Sequence, residues 1–528
     1  MNAVHRVQCD ILIIGSGAAG GVLAATLSEL TDRRIILVER GGHFGSNSFD
    51  QRELDMLRLY AERGARGTID GAIPVQGGQC VGGGTTINYA LSFDPIEAVW
   101  AGWRKEHGLK GISFDRDAAD YGVDGLNILN CAAEVRRRIN VRRVAEEHVN
   151  DNNRAFEAGC QRLGLSTNRF ELNMRDCIGC GYCGQGCAYD RKQGTMITYI
   201  ADAVARGVRL IHHCDIETLE FSSSSGDVTA AGATGDVRPT EPGSHPNSIG
   251  PGPITISAKL VIVSSGTIES PSLMQRSGYP DPYDTVGRGL VLHPSLPIAG
   301  LFSRELRNYR GITGSVYSDQ FYKTRGFYYE CLFDHPVNAA IAIPRIGKDH
   351  FETMLRYRNL AGFGVMLVDS VDASNRVTWN PETKKSDITY RLSEGDKNRL
   401  RFAARTGVRI MFGAGAEEVF LTSEESIGPL AYPRFTSADQ AAFCDELAFK
   451  PGATLLTSAH CQATAKMGED PAASVVDSRC EAHNAKNLIV CDSSSFPTSC
   501  GANPMVSIMS LARYQGRRIA AERGRYGL

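Results

Sequence analysis

Short apolar runs alternate with glycine-rich turns in the N-terminal part of the chain. Residues 10–14 (DILII) and 34–39 (RIILVE) predict two buried strands, and residues 18–30 predict a helix between them. A strand, a helix and a second strand within about 30 residues form a β-α-β unit. Residues 259–264 predict another buried strand farther along the chain. The pattern is typical of an α/β fold with a Rossmann-like parallel sheet.

The pattern changes in the second half of the chain. Residues 298–447 combine alternating aromatic strands, such as residues 327–333, with a charged helical stretch at residues 393–411. We therefore predict a second domain, built on an antiparallel sheet with helices. Residues 222–253 are rich in Ser, Gly, Pro, Asp and Thr and predict an exposed excursion with little regular structure.

The first predicted turn carries a phosphate-binding pattern. Its motif is Gly15-Ser16-Gly17-Ala18-Ala19-Gly20, a GxGxxG between strand and helix. The glycines permit a tight turn and bring a pyrophosphate close to the helix N-terminus, whose N–H groups and dipole favour anions. Glu39 ends the next strand, where it can accept hydrogen bonds from a ribose, and Arg40 follows it. The combination predicts a dinucleotide cofactor; a tight turn without a ligand is the alternative.

A compact run of cysteines lies between the predicted β-α-β unit and the later buried strand. It consists of Cys177, Cys180, Cys183 and Cys187, with the C-x2-C-x2-C-x3-C spacing of bacterial ferredoxins. The run predicts an iron–sulfur cluster. Zinc is the main alternative, although its sites usually separate two cysteine pairs by about a dozen residues or more, and unligated thiols are another. The sequence leaves the identity of the fourth ligand open. The candidates are Cys187, a distant thiol such as Cys131 or Cys160, and no fourth thiol at all.

Three further segments resemble the glucose-methanol-choline (GMC) oxidoreductase family. Residues 80–88 (CVGGGTTIN) are similar to the glycine-rich loop that lies against the flavin, and residues 266–274 (GTIESPSLM) are similar to the second family signature. The order of His460, Met467-Gly468, NLIVCD at residues 487–492, Phe496-Pro497 and Asn503-Pro504 resembles the catalytic segment of the family. Ala463 departs from the pattern, since the family usually has glycine there.

This resemblance implies FAD-dependent oxidation of an alcohol, with hydride passing to flavin N5. His460 would take the hydroxyl proton, and Asn503 would hold the substrate oxygen. Further FAD contacts are implied for Gly83, Gly84, Asn88, Ile216, Asp492, Pro504 and Met505. Asp492 has the alternative of capping the following helix. Ile87 occupies the place where several members carry a histidine bonded to FAD, so we expect noncovalent FAD.

We expect the FAD-binding domain to be discontinuous. It would comprise residues 1–95, 188–297 and 448–528, with residues 298–447 as the substrate-binding domain and residues 96–187 as a connecting region that holds the cysteines.

Other candidate residues are expected to serve the fold. These are the histidines His212, His213, His293 and His483. The aromatic residues Tyr317, Phe321, Tyr322, Phe327, Tyr328, Tyr329 and Phe333 are candidates to line an apolar substrate pocket, although alternation places about half of them inside the sheet.

Composition limits the partners. The 57 lysines and arginines nearly balance 59 aspartates and glutamates, for a formal charge of −2, so no net field favours nucleic acid or an anionic membrane. No apolar run approaches the roughly 18 residues of a membrane span, and residues 1–10 contain no secretory apolar region. Fifteen cysteines without an export signal favour the cytoplasm.

Three functions fit these observations. The first is an alcohol dehydrogenase that passes electrons through the cluster to a quinone, a cytochrome or an artificial dye. The second is an oxidase that uses O2, releases peroxide and has a structural metal or free thiols. A lyase or decarboxylase on the same scaffold is the third, because fold does not fix function.

Overall fold

A computed structural model describes residues 4–224, 226–333 and 335–528 of the protein. Residues 1–3 of the N-terminal segment, Ser225 of the predicted excursion and Asp334 of the predicted second domain lie outside the described residues. The strands are β1 (His5–Gln8), β2 (Ile11–Ile14), β3 (Ile35–Val38), β4 (Val141–Arg143), β5 (Asn168–Arg169), β6 (Glu171–Asn173), β7 (Arg209–Ile211), β8 (Cys214–Ser224), β9 (Asp227–Val237), β10 (Gly252–Ser257), β11 (Leu260–Val263), β12 (Ser295–Leu301), β13 (Val316–Ser318), β14 (Phe327–Glu330), β15 (Leu360–Leu367), β16 (Arg376–Asn380), β17 (Lys385–Thr389), β18 (Glu418–Leu421), β19 (Arg434–Phe435) and β20 (Leu488–Val490).

The helices alternate with these strands over most of the chain. They are α1 (Ala18–Leu30), α2 (Gly84–Ile87), α3 (Glu97–Glu106), α4 (Ile128–Arg138), α5 (Asp151–Arg162), α6 (Ala201–Ala205), α7 (Gly266–Arg276), α8 (Tyr322–Arg325), α9 (Pro336–Ala342), α10 (Lys348–Leu355), α11 (Glu394–Gly413) and α12 (Met505–Ala521).

A five-stranded parallel sheet forms the Rossmann-like part of the fold. Its strand order is β20-β11-β2-β3-β7. Every residue of β2, β3 and β11 is buried, and the sequence of each strand is therefore an unbroken run of apolar residues. Helix α1 connects β2 to β3 and packs against α12. The predicted β-α-β unit and the later parallel strand are therefore confirmed.

The prediction of an irregular excursion at residues 222–253 is wrong for its first part. Strands β8 and β9 form a long antiparallel hairpin there, in a four-stranded sheet of order β1-β10-β9-β8. The main chain supplies the ladder hydrogen bonds, so small polar side chains suffice on the exposed face, and Thr218 bonds Thr234 across the strands at 2.7 Å. A half-buried polar hairpin lacks the apolar run by which a strand is recognised.

A seven-stranded antiparallel sheet forms the second part of the fold, in the order β19-β18-β12-β15-β14-β13-β5. Helix α11 packs against it and begins at the predicted charged stretch, where the Ser393 side chain accepts a hydrogen bond from the Asp396 N–H at the helix N-terminus. Alternation along β14 points Phe327 and Tyr329 into the core beneath the sheet, and Tyr328 and Glu330 to the opposite face. That opposite face meets the C-terminal part of the chain.

Candidate active site

Neighbouring backbone packs closely against one side of the GxGxxG turn, and the other side has free space. A Cβ atom on Gly15 would lie 2.4 Å from the Ser264 carbonyl oxygen, and one on Gly20 would lie 1.8 Å from the Gly15 carbonyl oxygen. Only glycine fits at those two places. A Cβ on Gly17 would meet nothing within 4 Å. The turn therefore leaves open space beside Gly17 and the partly exposed Ala18, whereas Ala19, the next residue of α1, is buried in the core.

Three distant segments converge on this open space. The Ser16 hydroxyl accepts a hydrogen bond from the Gly82 N–H at 3.2 Å, and a Cβ on Gly83 would lie 2.9 Å from the Gly17 Cα. The Asn88 side-chain amide lies 3.0 Å from the Met505 sulfur, at the start of α12, which Pro504 precedes. Gly84, like Gly17, has open space where a Cβ would be. The structure thus brings these predicted cofactor residues together.

Glu39 and Arg40 lie beside the turn. The buried Glu39 carboxylate accepts hydrogen bonds from the Ser16 N–H at 3.1 Å, the Ser16 hydroxyl at 2.6 Å and the Gly41 N–H at 2.9 Å. Burial raises its pKa. Arg40 forms ion pairs with Asp215 at 2.8 Å and Glu269 at 3.0 Å, and Asp215 precedes Ile216 in β8. Neighbouring carboxylates raise the pKa of the Arg40 guanidinium although burial opposes them, so its charge is permanent.

Asp492 fixes the end of β20 to neighbouring elements. Its carboxylate accepts hydrogen bonds from the Gly266 N–H at 2.8 Å, the Ser270 hydroxyl at 2.6 Å and the Ser494 N–H at 2.7 Å. It therefore caps a short helical turn, Ser493–Ser495, and holds the start of α7. The capping alternative is present in the structure, and a contact of Asp492 with the ribityl chain stays a prediction.

His460 lies directly beside His293. Their rings form an edge-to-face pair with centroids 5.9 Å apart. A pair of hydrogen bonds between Val291 and Gln462 joins the two segments, at 3.0 and 3.2 Å. His293, which we expected to serve only the fold, is completely buried and has a left-handed backbone conformation, with a φ of 49°. Its ring also hydrogen bonds Ser499.

Desolvation is the main cause of the pKa shifts of these two histidines. It lowers the pKa of the partly exposed His460 to about 4, and it lowers the pKa of His293 well below its usual value, with help from His460. Both rings are therefore neutral at pH 7. His460 Nδ1 is buried and has no hydrogen-bond partner among the described residues. Neutral His460 can consequently act as a proton acceptor.

Asn503 is oriented by two residues of β14. The Tyr328 hydroxyl donates a hydrogen bond to Asn503 Oδ1 at 2.7 Å. Burial raises the pKa of the nearby Glu330 carboxyl to about 8, and the Asn503 side chain opposes that shift. Hydrogen bonds from Cys500 to Gln462 and from Gln462 to the His460 carbonyl connect the Asn503 segment to the histidine pair, at 2.8 and 3.0 Å.

The four cysteines of the predicted cluster line one small cleft. Cys177 accepts a hydrogen bond from the Gly179 N–H at 3.4 Å, and Cys187 accepts two, from the Arg191 and Lys192 N–H groups at 3.2 and 3.4 Å. Within the described parts of the chain, no three His, Cys, Asp or Glu side chains are grouped as ligands of a metal ion.

Lys192 connects the cysteine loop to the glycine-rich loop. Its buried ammonium donates hydrogen bonds to the carbonyl oxygens of Thr86 at 2.8 Å, Asn88 at 2.7 Å and Cys183 at 2.6 Å. Burial lowers its pKa. The cysteine cleft and the predicted flavin loop are therefore separated by one side chain.

Three residues of this site were not among the sequence candidates for function. His293 was assigned to the fold, Glu330 was not considered, and Lys192 was placed only in a segment, residues 191–195, that the family resemblance brings near FAD. Alternation along β14 is a signal that places Glu330 on the same face as Tyr328. The positions of His293 and Lys192 depend on contacts between distant segments.

Comparison with known proteins identifies the family. Profiles described as GMC oxidoreductase match residues 56–295 and 371–512, and one described as an NAD(P)-binding Rossmann-like domain matches residues 13–71. These matches cover more than half of the chain. The chain belongs to the GMC oxidoreductase family and is an FAD-dependent oxidoreductase.

Individual relatives agree with this assignment. The chain is 26% identical to the long-chain-alcohol oxidase FAO1 of Arabidopsis thaliana, over 98% of this chain and 67% of the relative. It is 28% identical to the long-chain-alcohol oxidase FAO4B of the same organism, over 96% and 67%. The crystal structure of a formate oxidase has the same fold, with a TM-score of 0.71, 14% identity and coverage of 99% and 100%.

None of the helices in the described residues combines the length and the apolar character needed to cross a bilayer.

Proposed function

We propose that this enzyme oxidises an alcohol with a long apolar portion to an aldehyde or ketone. The observation that carries the proposal is neutral His460, connected through Gln462 to the segment of Asn503. A base and an amide in this relation suit removal of a hydroxyl proton. The alcohol class is supported by the two plant relatives, both described as long-chain-alcohol oxidases.

The residues around the GxGxxG turn fit FAD. Gly17, Gly84 and Gly266 have open space where side chains would otherwise project, while Gly15 and Gly20 are closed by backbone. FAD would lie along Gly17, Gly84 and Asn88, held noncovalently because Ile87 offers no bonding atom, and when bound it supplies the hydride acceptor.

His460 and Asn503 have different roles toward the substrate. An alcohol gives up hydride from its carbon only as its hydroxyl proton leaves, so a base must lie within hydrogen-bond reach. Neutral His460 accepts that proton. The oxygen of the Asn503 amide is occupied by Tyr328, so its N–H groups are left for Glu330 and for the substrate oxygen. There they stabilise the negative charge that develops as the proton leaves.

We further propose that Cys177, Cys180, Cys183 and Cys187 hold an iron–sulfur cluster. The compact cysteine spacing suits a cluster better than a single zinc ion, whose sites usually separate two cysteine pairs, and the four thiols line one cleft. N–H groups directed at Cys177 and Cys187 stabilise thiolates. Such a cluster would relay electrons to an acceptor such as a quinone, a cytochrome or a dye.

The central experiment mixes the purified flavoenzyme with a long-chain primary alcohol in the absence of oxygen. We expect the flavin absorbance to bleach, and we expect His460→Ala to slow bleaching by about 10²- to 10⁴-fold while FAD stays bound. His483→Ala is the matched control, because the His483 ring hydrogen bonds Ser474 and the Gly468 carbonyl, outside the proposed site. Bleaching that survives in His460→Ala at the parent rate would remove His460 as the base.

The same preparation separates the rival functions. Stoichiometric peroxide in air from an iron-free protein would support the oxidase alternative. Absence of bleaching by any alcohol would support the lyase or decarboxylase alternative. The cytoplasmic location stays a prediction, which cell fractionation would test.

A further inference from the structure

His293 combines two unfavourable features that a histidine needed only for the fold could avoid. Its backbone φ of 49° lies in the left-handed region, which residues other than glycine seldom adopt. Its side chain is completely buried, and its Nδ1 atom has no hydrogen-bond partner among the described residues. Backbone strain and unpartnered buried polar groups concentrate at functional sites. His293 is therefore a candidate for a role in the reaction.

The Asp369 carboxylate holds His293 in this conformation. It accepts hydrogen bonds from the Leu292 N–H at 2.9 Å and the His293 N–H at 3.1 Å. The Tyr390 hydroxyl donates a third hydrogen bond to this carboxylate at 2.6 Å, and Asp369 is itself buried. The surrounding fold therefore determines where the His293 ring lies.

Gln462 has only one amide orientation that satisfies its neighbours. The Cys500 N–H donates to one side-chain atom at 2.8 Å, so that atom is the oxygen Oε1. The other atom lies 3.0 Å from the His460 carbonyl oxygen, so it is the nitrogen Nε2. Gln462 Nε2 also lies 3.3 Å from His293 Nε2, and an amide nitrogen can only donate. The Gln462 amide therefore donates one hydrogen bond to His460 and another to His293.

The same contacts determine the tautomer of His293. Its Nε2 atom accepts a hydrogen bond from Gln462, so the proton of the neutral ring is on Nδ1. The Ser499 hydroxyl accepts a hydrogen bond from the Gly501 N–H at 3.0 Å and donates its own proton to His293 Nε2. A single nitrogen atom of His293 thus accepts two hydrogen bonds.

The two donors belong to the two segments that carry the proposed catalytic residues. Gln462 lies two positions after His460. Ser499 lies four positions before Asn503. We propose that His293 is a positioning residue for alcohol oxidation, which holds these two segments in register by accepting a hydrogen bond from each. This inference rests on the proposed function, because His293 acts through His460 and Asn503.

Anaerobic stopped-flow bleaching of the holoenzyme by a long-chain primary alcohol tests the proposal. A series of alcohol concentrations separates the limiting rate of bleaching from the apparent Kd of the alcohol. In His293→Leu the acceptor is lost, and a misplacement of about 1 Å slows a reaction by about 10²-fold. We expect the limiting rate to fall by about 10- to 100-fold, while the apparent Kd and the FAD content change by less than about threefold.

His293→Gln is the conservative variant that should restore the reaction. The glutamine oxygen can reach the place of the histidine Nε2 atom and accept both hydrogen bonds there. We expect its limiting rate to lie within about threefold of the parent rate. A role limited to filling space in the core would not distinguish glutamine from leucine in this way.

A double variant and a matched control complete the test. His293→Leu/Gln462→Leu should bleach no more slowly than the slower of its two single variants, because both changes remove the same connection. His213→Leu is the matched control, because His213 is also a buried histidine, with a φ of 50°. Its ring hydrogen bonds His212 and the Glu241 N–H instead of the proposed site. His213→Leu should bleach at the parent rate.

Ser499→Ala removes the second donor and leaves His293 in place. Loss of this one hydrogen bond should lower the limiting rate by about 3- to 10-fold, with FAD retained. This variant decides the question if His293→Leu does not retain FAD, and bleaching of Ser499→Ala at the parent rate would then reject the positioning role.

Three results would overturn the proposal. His293→Leu would bleach at the parent rate, or the effects of His293→Leu and Gln462→Leu would multiply in the double variant, or His213→Leu would slow bleaching as much as His293→Leu. Failure of the proposed function looks different. In that case no alcohol bleaches the parent enzyme, or His460→Ala bleaches at the parent rate.

Discussion

The direction of one amide group determines what Asn503 can do. An asparagine side chain offers an oxygen acceptor and an N–H₂ donor, and only the donor can stabilise a developing negative charge on a substrate oxygen. Tyr328 engages the Asn503 oxygen, which directs the N–H₂ group toward Glu330 and the substrate side. The sequence identified Asn503 and Tyr328 as candidates, but it did not assign Tyr328 to either face of its strand. It did not indicate that these residues meet, because they are separated by 175 positions along the chain.

The ionisation of Glu330 should be visible in the pH profile. Its pKa is raised to about 8, so it is neutral at pH 7 and becomes an anion above pH 8, where its charge opposes charge development beside Asn503. Below about pH 4, His460 is protonated and cannot accept a proton. We therefore expect kcat/KM to fall both below pH 4 and above pH 8.

Glu330→Gln tests the alkaline limb. The amide cannot ionise, so the fall in kcat/KM above pH 8 should disappear while the acid limb remains. Glu425→Gln is the matched control, because Glu425 is a buried carboxylate that hydrogen bonds Ala448, Lys450 and Thr454. An unchanged alkaline limb in Glu330→Gln would assign that limb to another group.

At the scale of secondary-structure elements, the pattern of apolar residues along the sequence identified some strands and missed others. The runs in β2, β3 and β11 are buried on both faces and were recognised directly. The hairpin of β8 and β9 was not, because its serine and threonine positions carry no apolar period. The GxGxxG turn depends on local geometry and could be predicted, whereas the approach of residue 82 to residue 16 depends on the tertiary fold.

Lys192 holds the cysteine loop against the glycine-rich loop. Its three hydrogen bonds go to backbone carbonyls of both loops, and each carbonyl would lose a charged donor in Lys192→Met. We expect this variant to lower the free energy of unfolding by about 2–4 kcal/mol, measured by urea denaturation of the holoenzyme.

A surface lysine provides the comparison for Lys192. Lys486 pairs with Asp227, and both side chains are more than half exposed. Lys486→Met should therefore change the free energy of unfolding by less than about 1 kcal/mol. Equal losses in Lys192→Met and Lys486→Met would show that the buried ammonium does not join the loops.

At the scale of the whole molecule, the flavin function has support from relatives, and the iron–sulfur function is our proposal. Family membership covers the flavin site and the Rossmann-like fold. The proposed iron–sulfur site rests on the cysteine spacing, on the shared cleft and on N–H groups directed at sulfur. The cysteine spacing could be recognised in the sequence. The closeness of the cysteine loop to the glycine-rich flavin loop could not, because Lys192 joins the two loops only in the folded chain.

Cys187→Ser should separate the two functions. Serine is a poor ligand for iron, so we expect iron content and dye-linked turnover to fall by about tenfold or more. Anaerobic bleaching of the flavin by alcohol should change by less than about threefold, because His460 and Asn503 are untouched. Cys9→Ser is the matched control, since Cys9 is a buried thiol outside the cysteine run and should retain iron. Iron-free parent enzyme would reject the cluster, zinc in its place would favour the structural metal, and equal dye-linked turnover in Cys187→Ser would show that electrons leave the flavin by another route.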